Sequence, residues 1–332
     1  MLTSALRKES LPADDSLAGN DNRPFPCAGT APAAAVADRF REVSVRLVLA
    51  ASLVAIALTI GLGVRVDPRG TTALELLVAA LLLASRRWWD RTDHQRMADA
   101  CGAFAMVALG GMSCGAIAML ELKLHFPLAD ATLRSFDHAL GVDGIAIVDW
   151  LVRQGRWIFW IMAPAYNFTI PIFFGGLLAL ALLGDRVEAW RAAFCFVGTL
   201  LTTCLIAIFA PAKGLGMWAP QTLLDQLPDK AMRTFWPHFD TFYFGADPVL
   251  RLQVVDGVIS FPSFHSVVGF LTVAMFRKNM VTLLASGAWL AVMLVATLPG
   301  GGHYFVDLLA GFAVWWAWFA WSRRIERQLA SA

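Results

Sequence analysis

FPSFHSV, residues 261–267, stands where a polar loop gives way to an apolar run, and GGHYFVD, residues 301–307, repeats that arrangement further along the chain. Each stretch sets one histidine, His265 or His303, at the mouth of an apolar segment. The chain around them has 332 residues, is 58% hydrophobic and only 16% charged, against roughly 25% charge in ordinary soluble domains. That composition belongs to a polytopic membrane protein, with the lipid bilayer as its surroundings.

A helix needs about 20 apolar residues to cross roughly 30 Å of hydrocarbon. Runs of that kind lie near 46–64, 71–87, 99–120, 164–184, 190–210, 279–298 and 303–321, and a shorter eighth at 264–277. The expected fold is therefore all-α, with about eight transmembrane helices. The stretch 144–162 is also apolar, but Asp149, Arg153 and Arg156 interrupt it. Charges at mid-bilayer are expensive, so a helix lying along the interface is expected there, its tryptophans at headgroup depth. Near the end of the last run, Trp315, Trp316, Trp318, Phe319 and Trp321 read as an aromatic belt.

Other classes are excluded by what the chain lacks. A net charge of +2 without any Lys/Arg-rich run argues against nucleic acid as a partner. The five cysteines are odd in number, show no CxxC pairing, and four lie in apolar stretches where a thiol acts as a small hydrophobe. Neither disulfide nor metal site is expected, and no cofactor. Residues 1–44 are polar, Ala/Pro-rich and mixed in charge, the composition of a disordered tail and not of a cleaved signal.

His303 and Asp307 are spaced i, i+4, so on a helix they would share a face with β-carbons about 5–6 Å apart. A carboxylate there accepts the proton of one ring nitrogen and leaves the other free as nucleophile or base. A purely structural pair would use the same spacing. His265 falls on the same membrane side, and two convergent histidines, one tied to a carboxylate, suit a nucleophile plus a general acid acting on a phosphoester. Ser263 and the N–H groups of a helix start form a ready anion site, although Pro262-Ser263 also reads as a plain helix start signal. His94, His125, His138 and His238 have no partner at a recognisable spacing and read as interfacial or structural.

FPSFH and HYFVD resemble the second and third signature motifs of the type-2 phosphatidic acid phosphatase superfamily. They are most similar to the branch containing inositol phosphorylceramide synthase, which carries a bulky residue where Phe264 stands here. The resemblance implies a six-helix core over the last six crossings and a metal-independent reaction on a membrane lipid. In it His303 attacks a phosphoester to give a phosphohistidine, His265 protonates the departing alkoxide and Asp307 orients His303. It also implies phosphate binding by Ser263 and by Lys213 in PAKGLGMWAP, residues 211–220. The chain departs from the family pattern at two points. The Arg of the first motif is absent, Pro220 arriving one residue early, and Thr297 replaces the Arg expected six residues before His303. Arg251, in the same loop, is a candidate for the missing cation. The wider superfamily contains plain lipid phosphatases as well as headgroup transferases.

The organisation expected is a cytoplasmic tail over 1–44, two additional helices over 45–98, a catalytic core over 99–322 and a short cytoplasmic tail over 323–332. A reading from another class, a transporter or lipid-handling protein with a His/Asp proton relay, would place its ionisable groups near mid-bilayer. Here both histidines lie at helix mouths on one side.

With eight crossings, one set of loops and tails carries 17 Lys/Arg and the other, much longer, set 10. The positive-inside rule then puts both termini in the cytoplasm. The histidines face the periplasm of a bacterial inner membrane, or the lumen in a eukaryote. Cysteines introduced beside Gly301 should react with an impermeant thiol reagent added outside, and cysteines placed after Arg324 should not. The reverse labelling pattern would overturn the orientation.

Overall fold

The computed structural model describes residues 31–67, 71–246, 248–251 and 258–331, and these are predominantly α-helical. Three long helices open the chain: α1 (Ala31–Gly61), α2 (Thr71–Arg91) and α3 (Gln95–Leu120). Two short ones follow, α4 (Asp130–Ala139) and α5 (Gly144–Arg153), then α6 (Trp157–Asn167), α7 (Thr169–Leu182) and α8 (Arg186–Ala207). A long loop holds α9 (Gln221–Leu224) and α10 (Trp236–Tyr243), and α11 (Phe264–Met275), α12 (Met280–Gly301) and α13 (Phe305–Ala330) complete the bundle. Two-residue strands β1 (Arg65–Val66) and β2 (Val249–Leu250) pair in parallel, tying the α1–α2 connection to the long loop.

Five helices, α1, α3, α8, α12 and α13, are long and apolar enough to cross a membrane, and the count reaches six if α6 and α7 form one span. The expected eight is not met. The 12 residues of α11 rise about 18 Å at 1.5 Å per residue, short of the hydrocarbon thickness. The sequence of α2 carries Glu75, Arg86, Arg87 and Asp90. The interfacial helix expected over 144–162 is also corrected. Gly155, at φ +98°, parts α5 from α6, a left-handed conformation that residues with a Cβ seldom adopt. Beyond it α6 runs towards α7 with a bend of 47°, just after Pro164, whose ring removes one helical N–H. Trp150, Trp157 and Trp160 are exposed on this stretch.

The N-terminal boundary shifts as well. Helix α1 already includes residues 31–44, expected as tail, and the first thirty residues, with Cys27, lie outside the described ones. Its AAAVA run, residues 33–37, consists mostly of the best helix former. Phe40 is fully buried and stacks on Phe194 of α8 at 5.4 Å between ring centroids. The aromatic belt of α13 divides: Trp316 and Trp321 are exposed, whereas Trp318 fits against Gly198 and donates from Nε1 to Thr202 Oγ1 at 2.9 Å.

One end of the bundle is held by charge. Glu188, at the start of α8, pairs with Arg191 at 2.6 Å and with Arg277, just past α11, at 2.6 Å. Arg191 also meets Glu326 of α13 at 2.7 Å. Nearby, Arg186 reaches Asp38 of α1 and Asp99 of α3 at 2.8 and 2.9 Å. Such a network locks the ends of five helices, and the opposite ends, where α11 and α13 begin, hold the histidines. Removing one member of a buried ion pair strands the other, typically at 3–5 kcal/mol. Glu188→Ala should therefore lower stability by about 3 kcal/mol, read as a lower thermal midpoint of the purified protein in detergent. An unchanged midpoint would show that these pairs contribute no net stability.

Candidate active site

The site is assembled where three chain breaks meet. Helix α12 stops at Gly302, whose φ of +69° lets its N–H reach Leu298 O at 3.1 Å while the His303 N–H returns to Thr297 O at 3.3 Å. The bond from the Gly302 N–H to the carbonyl four residues back is the αL helix ending, for which glycine is the favoured residue. A Cβ at Gly302 would stand 2.9 Å from Met232 O. His303 thus leaves the helix at a fixed angle, buried at 4% exposure.

Asp307 then meets His303 in a way the spacing alone does not describe. His303 precedes α13, and no shared helical face joins the two. Asp307 sits in the first turn of α13 and accepts the backbone N–H of Tyr304, the cap residue, at 2.9 Å. The same Oδ2 accepts from Ser260 Oγ at 2.9 Å and lies 3.3 Å from His303 Nδ1. His303 Nδ1 is also 3.0 Å from Ser260 O. Both neighbours of Nδ1 are acceptors, so Nδ1 carries the hydrogen and Nε2 keeps its lone pair.

His265 is the second residue of α11. Ser263 caps that helix, its Oγ accepting from Ser266 N at 3.4 Å, and its own N–H donates to Asp307 O at 3.0 Å. The start of α11 is thereby tied to the start of α13. Gly311 permits the approach: a Cβ there would lie 2.1 Å from Ser266 Oγ and 2.6 Å from Ser263 O. The rings of His265 and His303 end 6.1 Å apart between centroids, tilted by 60°. Both line a cavity of about 730 Å³ that continues past Phe264 to Gly111 and Cys204 between α3 and α8.

The two cations expected at the phosphate are not brought to this pair. Lys213 Nζ binds Asp240 at 2.7 Å and lies 4.4 Å from the centroid of the Trp236 ring. Arg251 is paired with Asp67 at 3.5 Å, its side chain 62% exposed. Neither lines the cavity. The backbone beside Lys213 does serve the site, since Leu215 N donates to Gly302 O at 2.6 Å. Among the described residues no group of three or more His, Cys, Asp or Glu could hold a metal ion.

Sequence reasoning missed the residues that build this end. Asp137 of α4 accepts the N–H groups of Phe305 and Val306, both at 2.8 Å, and so supplies the first turn of α13 with a negative partner. Asp130, one face along the same helix, takes the N–H groups of Lys213 and Gly214 at 3.0 and 2.7 Å and the Tyr304 hydroxyl at 2.9 Å. Burial raises the carboxyl pKa of both, against the opposing pull of these hydrogen bonds. The available signal was two acids seven residues apart on a short amphipathic helix. Tyr166, on α6, stacks on His265 with 4.2 Å between centroids, and nothing in its local sequence marks it.

No curated protein and no solved structure matches the chain. The family model described as the PAP2 superfamily matches residues 131–321, from α4 through most of α13, and takes in both histidines and Asp307. With more than half of the 332 residues matched, the chain belongs to the PAP2 superfamily.

Proposed function

We propose that the protein is a membrane enzyme that cleaves and transfers a phosphate-bearing lipid headgroup through a phosphohistidine on His303. The observation that carries this reading is the setting of His303: a buried imidazole whose Nδ1 faces two acceptors, Ser260 O and Asp307, beside a second histidine. PAP2 membership and the long apolar helices support a phosphatase-like membrane enzyme. The Nε2 lone pair forms the N–P bond as the P–O bond to the leaving alkoxide breaks, and His265 gives that oxygen its proton. In the second half an acceptor hydroxyl attacks phosphorus, the N–P bond breaks, and His265 takes the acceptor's proton back. Phosphate oxygens are received at the start of α11, by the first-turn N–H groups that Ser263 does not cap. A phosphate between the rings supplies the counter-charge for a protonated His265.

A lipid alcohol is the acceptor favoured over water. The support is the resemblance of FPSFH and HYFVD to the phosphorylceramide synthase branch, together with the apolar walls of the cavity, which limit access of water. The test supplies purified enzyme with lipid donor labelled in its phosphate and rising ceramide or diacylglycerol. Label should move into the acceptor lipid, and His303→Ala should reduce transfer by at least about 10³-fold, as loss of a nucleophile does. Free phosphate or free headgroup phosphate as sole product at saturating acceptor would make the protein a phosphatase. Near-wild-type turnover by His303→Ala would refute the mechanism.

The cavity also suggests where the donor's acyl chain lies. Val107, Gly111, Cys114 and Ala118 line it from one face of α3, with Gly111 about 13 Å below the end of that helix at 1.5 Å per residue. A Cβ at Gly111 meets nothing within 4 Å, and Gly111 lines the cavity, so a side chain there starts in open space beside it. Gly111→Leu should raise the ratio of kcat/KM for short-chain over long-chain donors by about tenfold, the equivalent of about 1.4 kcal/mol of lost room. An unchanged ratio would remove the acyl chain from this part of the cavity.

A further inference from the structure

The two histidines are held differently. A carboxylate and a carbonyl grip Nδ1 of His303. His265 instead lies against the ring of Tyr166, with 4.2 Å between centroids and 19° between planes, and its Nδ1 is 3.4 Å from the Tyr166 hydroxyl. That separation is long, as catalytic hydrogen bonds often are before substrate binds.

Tyr166 is seated with equal definition on its other side. A Cβ at Gly300 would stand 3.1 Å from the Tyr166 ring, and one at Gly301 would stand 2.7 Å from its hydroxyl. The tyrosine therefore occupies space left by Gly300 and Gly301, three and two residues before His303, while its face covers His265. It reaches this place because α6 carries it next to the bend into α7, and because α6 packs along α12. One side chain thus spans both halves of the histidine pair.

We propose that Tyr166 is the positioning residue of His265. Stacking sets the plane of the imidazole, and the Tyr166 oxygen, 3.4 Å from Nδ1 and off the line of its N–H here, closes on it when substrate binds, accepts from Nδ1–H and keeps that hydrogen in place during turnover. Nε2 is then the nitrogen that gives its proton to the leaving oxygen and takes one from the acceptor. Tyr166 itself forms no bond to substrate and loses no proton. Both imidazoles are thereby anchored through Nδ1 and react through Nε2, one as nucleophile and one as proton carrier. The inference rests on the phosphotransfer reading above.

The test compares Tyr166→Phe and Tyr166→Leu in the full-length protein in detergent, with a lipid phosphate and with p-nitrophenyl phosphate, whose departing oxygen needs no proton. Tyr166→Phe keeps the stacking and loses one hydrogen bond, so kcat on the lipid phosphate should fall about tenfold with KM changed less than about twofold. On p-nitrophenyl phosphate the loss should stay below about twofold. Tyr166→Leu, which loses the stacking too, should fall further on the lipid, about 100-fold, with the same split between substrates. A Tyr166→Phe enzyme equal to wild type on both substrates, or reduced equally on both, overturns the assignment. Wild-type protein inert to both substrates, or a His265→Ala variant without the same split, overturns the phosphotransfer reading and this inference with it.

Discussion

A single buried carboxylate oxygen organises the site. Asp307 is fully buried, and its Oδ2 faces the Tyr304 N–H, the Ser260 hydroxyl and His303 Nδ1 within 3.3 Å. Burying a charge without partners is costly, and hydrogen bonds to the charged form offset much of that cost. Two of the donors, on His303 and Tyr304, belong to the turn between α12 and α13, and the third, on Ser260, comes from the loop before α11. Satisfying this one oxygen therefore ties the α12–α13 turn to the loop before α11 and places the hydrogen of His303 on Nδ1 in the same step. Its role as a helix cap and its role towards the histidine are one interaction, not two competing accounts.

Around this point the short helix α4 acts as a brace. Asp137 holds the first turn of α13, and Asp130 holds the Lys213–Gly214 backbone together with Tyr304. The Tyr304 hydroxyl in turn accepts from Trp218 Nε1 at 2.7 Å. The loops at this end are thus fastened to the helix starts by backbone donors, a rigid way to hold reacting groups because no long side chain has to be ordered. At the far end of the bundle the ion pairs of Glu188 and Arg186 do the corresponding work for the other helix termini. The apolar cavity lined by the two histidines continues from this end between α3 and α8.

The composition, the apolar runs and the two His motifs were legible in the sequence, and so was the family. The number of crossings was legible only in part. Hydropathy scores a segment by its own residues, but α11 is too short and α2 too charged to pass by themselves. The stretch 144–162 was misjudged because its charges fall on α5 and at the break before α6. The apolar remainder joins α7 across a bend that no periodicity signals. Lys213 and Arg251 illustrate a different gap. A cation in the right loop was legible, but its partners, Asp240 and Asp67, are chosen by folding, and neither charge lines the cavity.

The sequence by itself determined that this chain is helical, membrane-embedded and equipped with His265, His303 and Asp307 in PAP2 motifs, because hydrophobicity, charge density and short motifs are local properties. Only the tertiary structure decided which groups those three residues face. Ser260, in the loop before α11, and Asp130, at the start of α4, reach the turn that holds His303 from distant positions in the sequence, and Tyr166 covers His265 from 99 positions away. Such pairings depend on where glycines such as Gly300, Gly301 and Gly311 leave room for another segment to approach. Each approach is settled by the packing of two helices against each other, a property that neither helix carries in its own sequence.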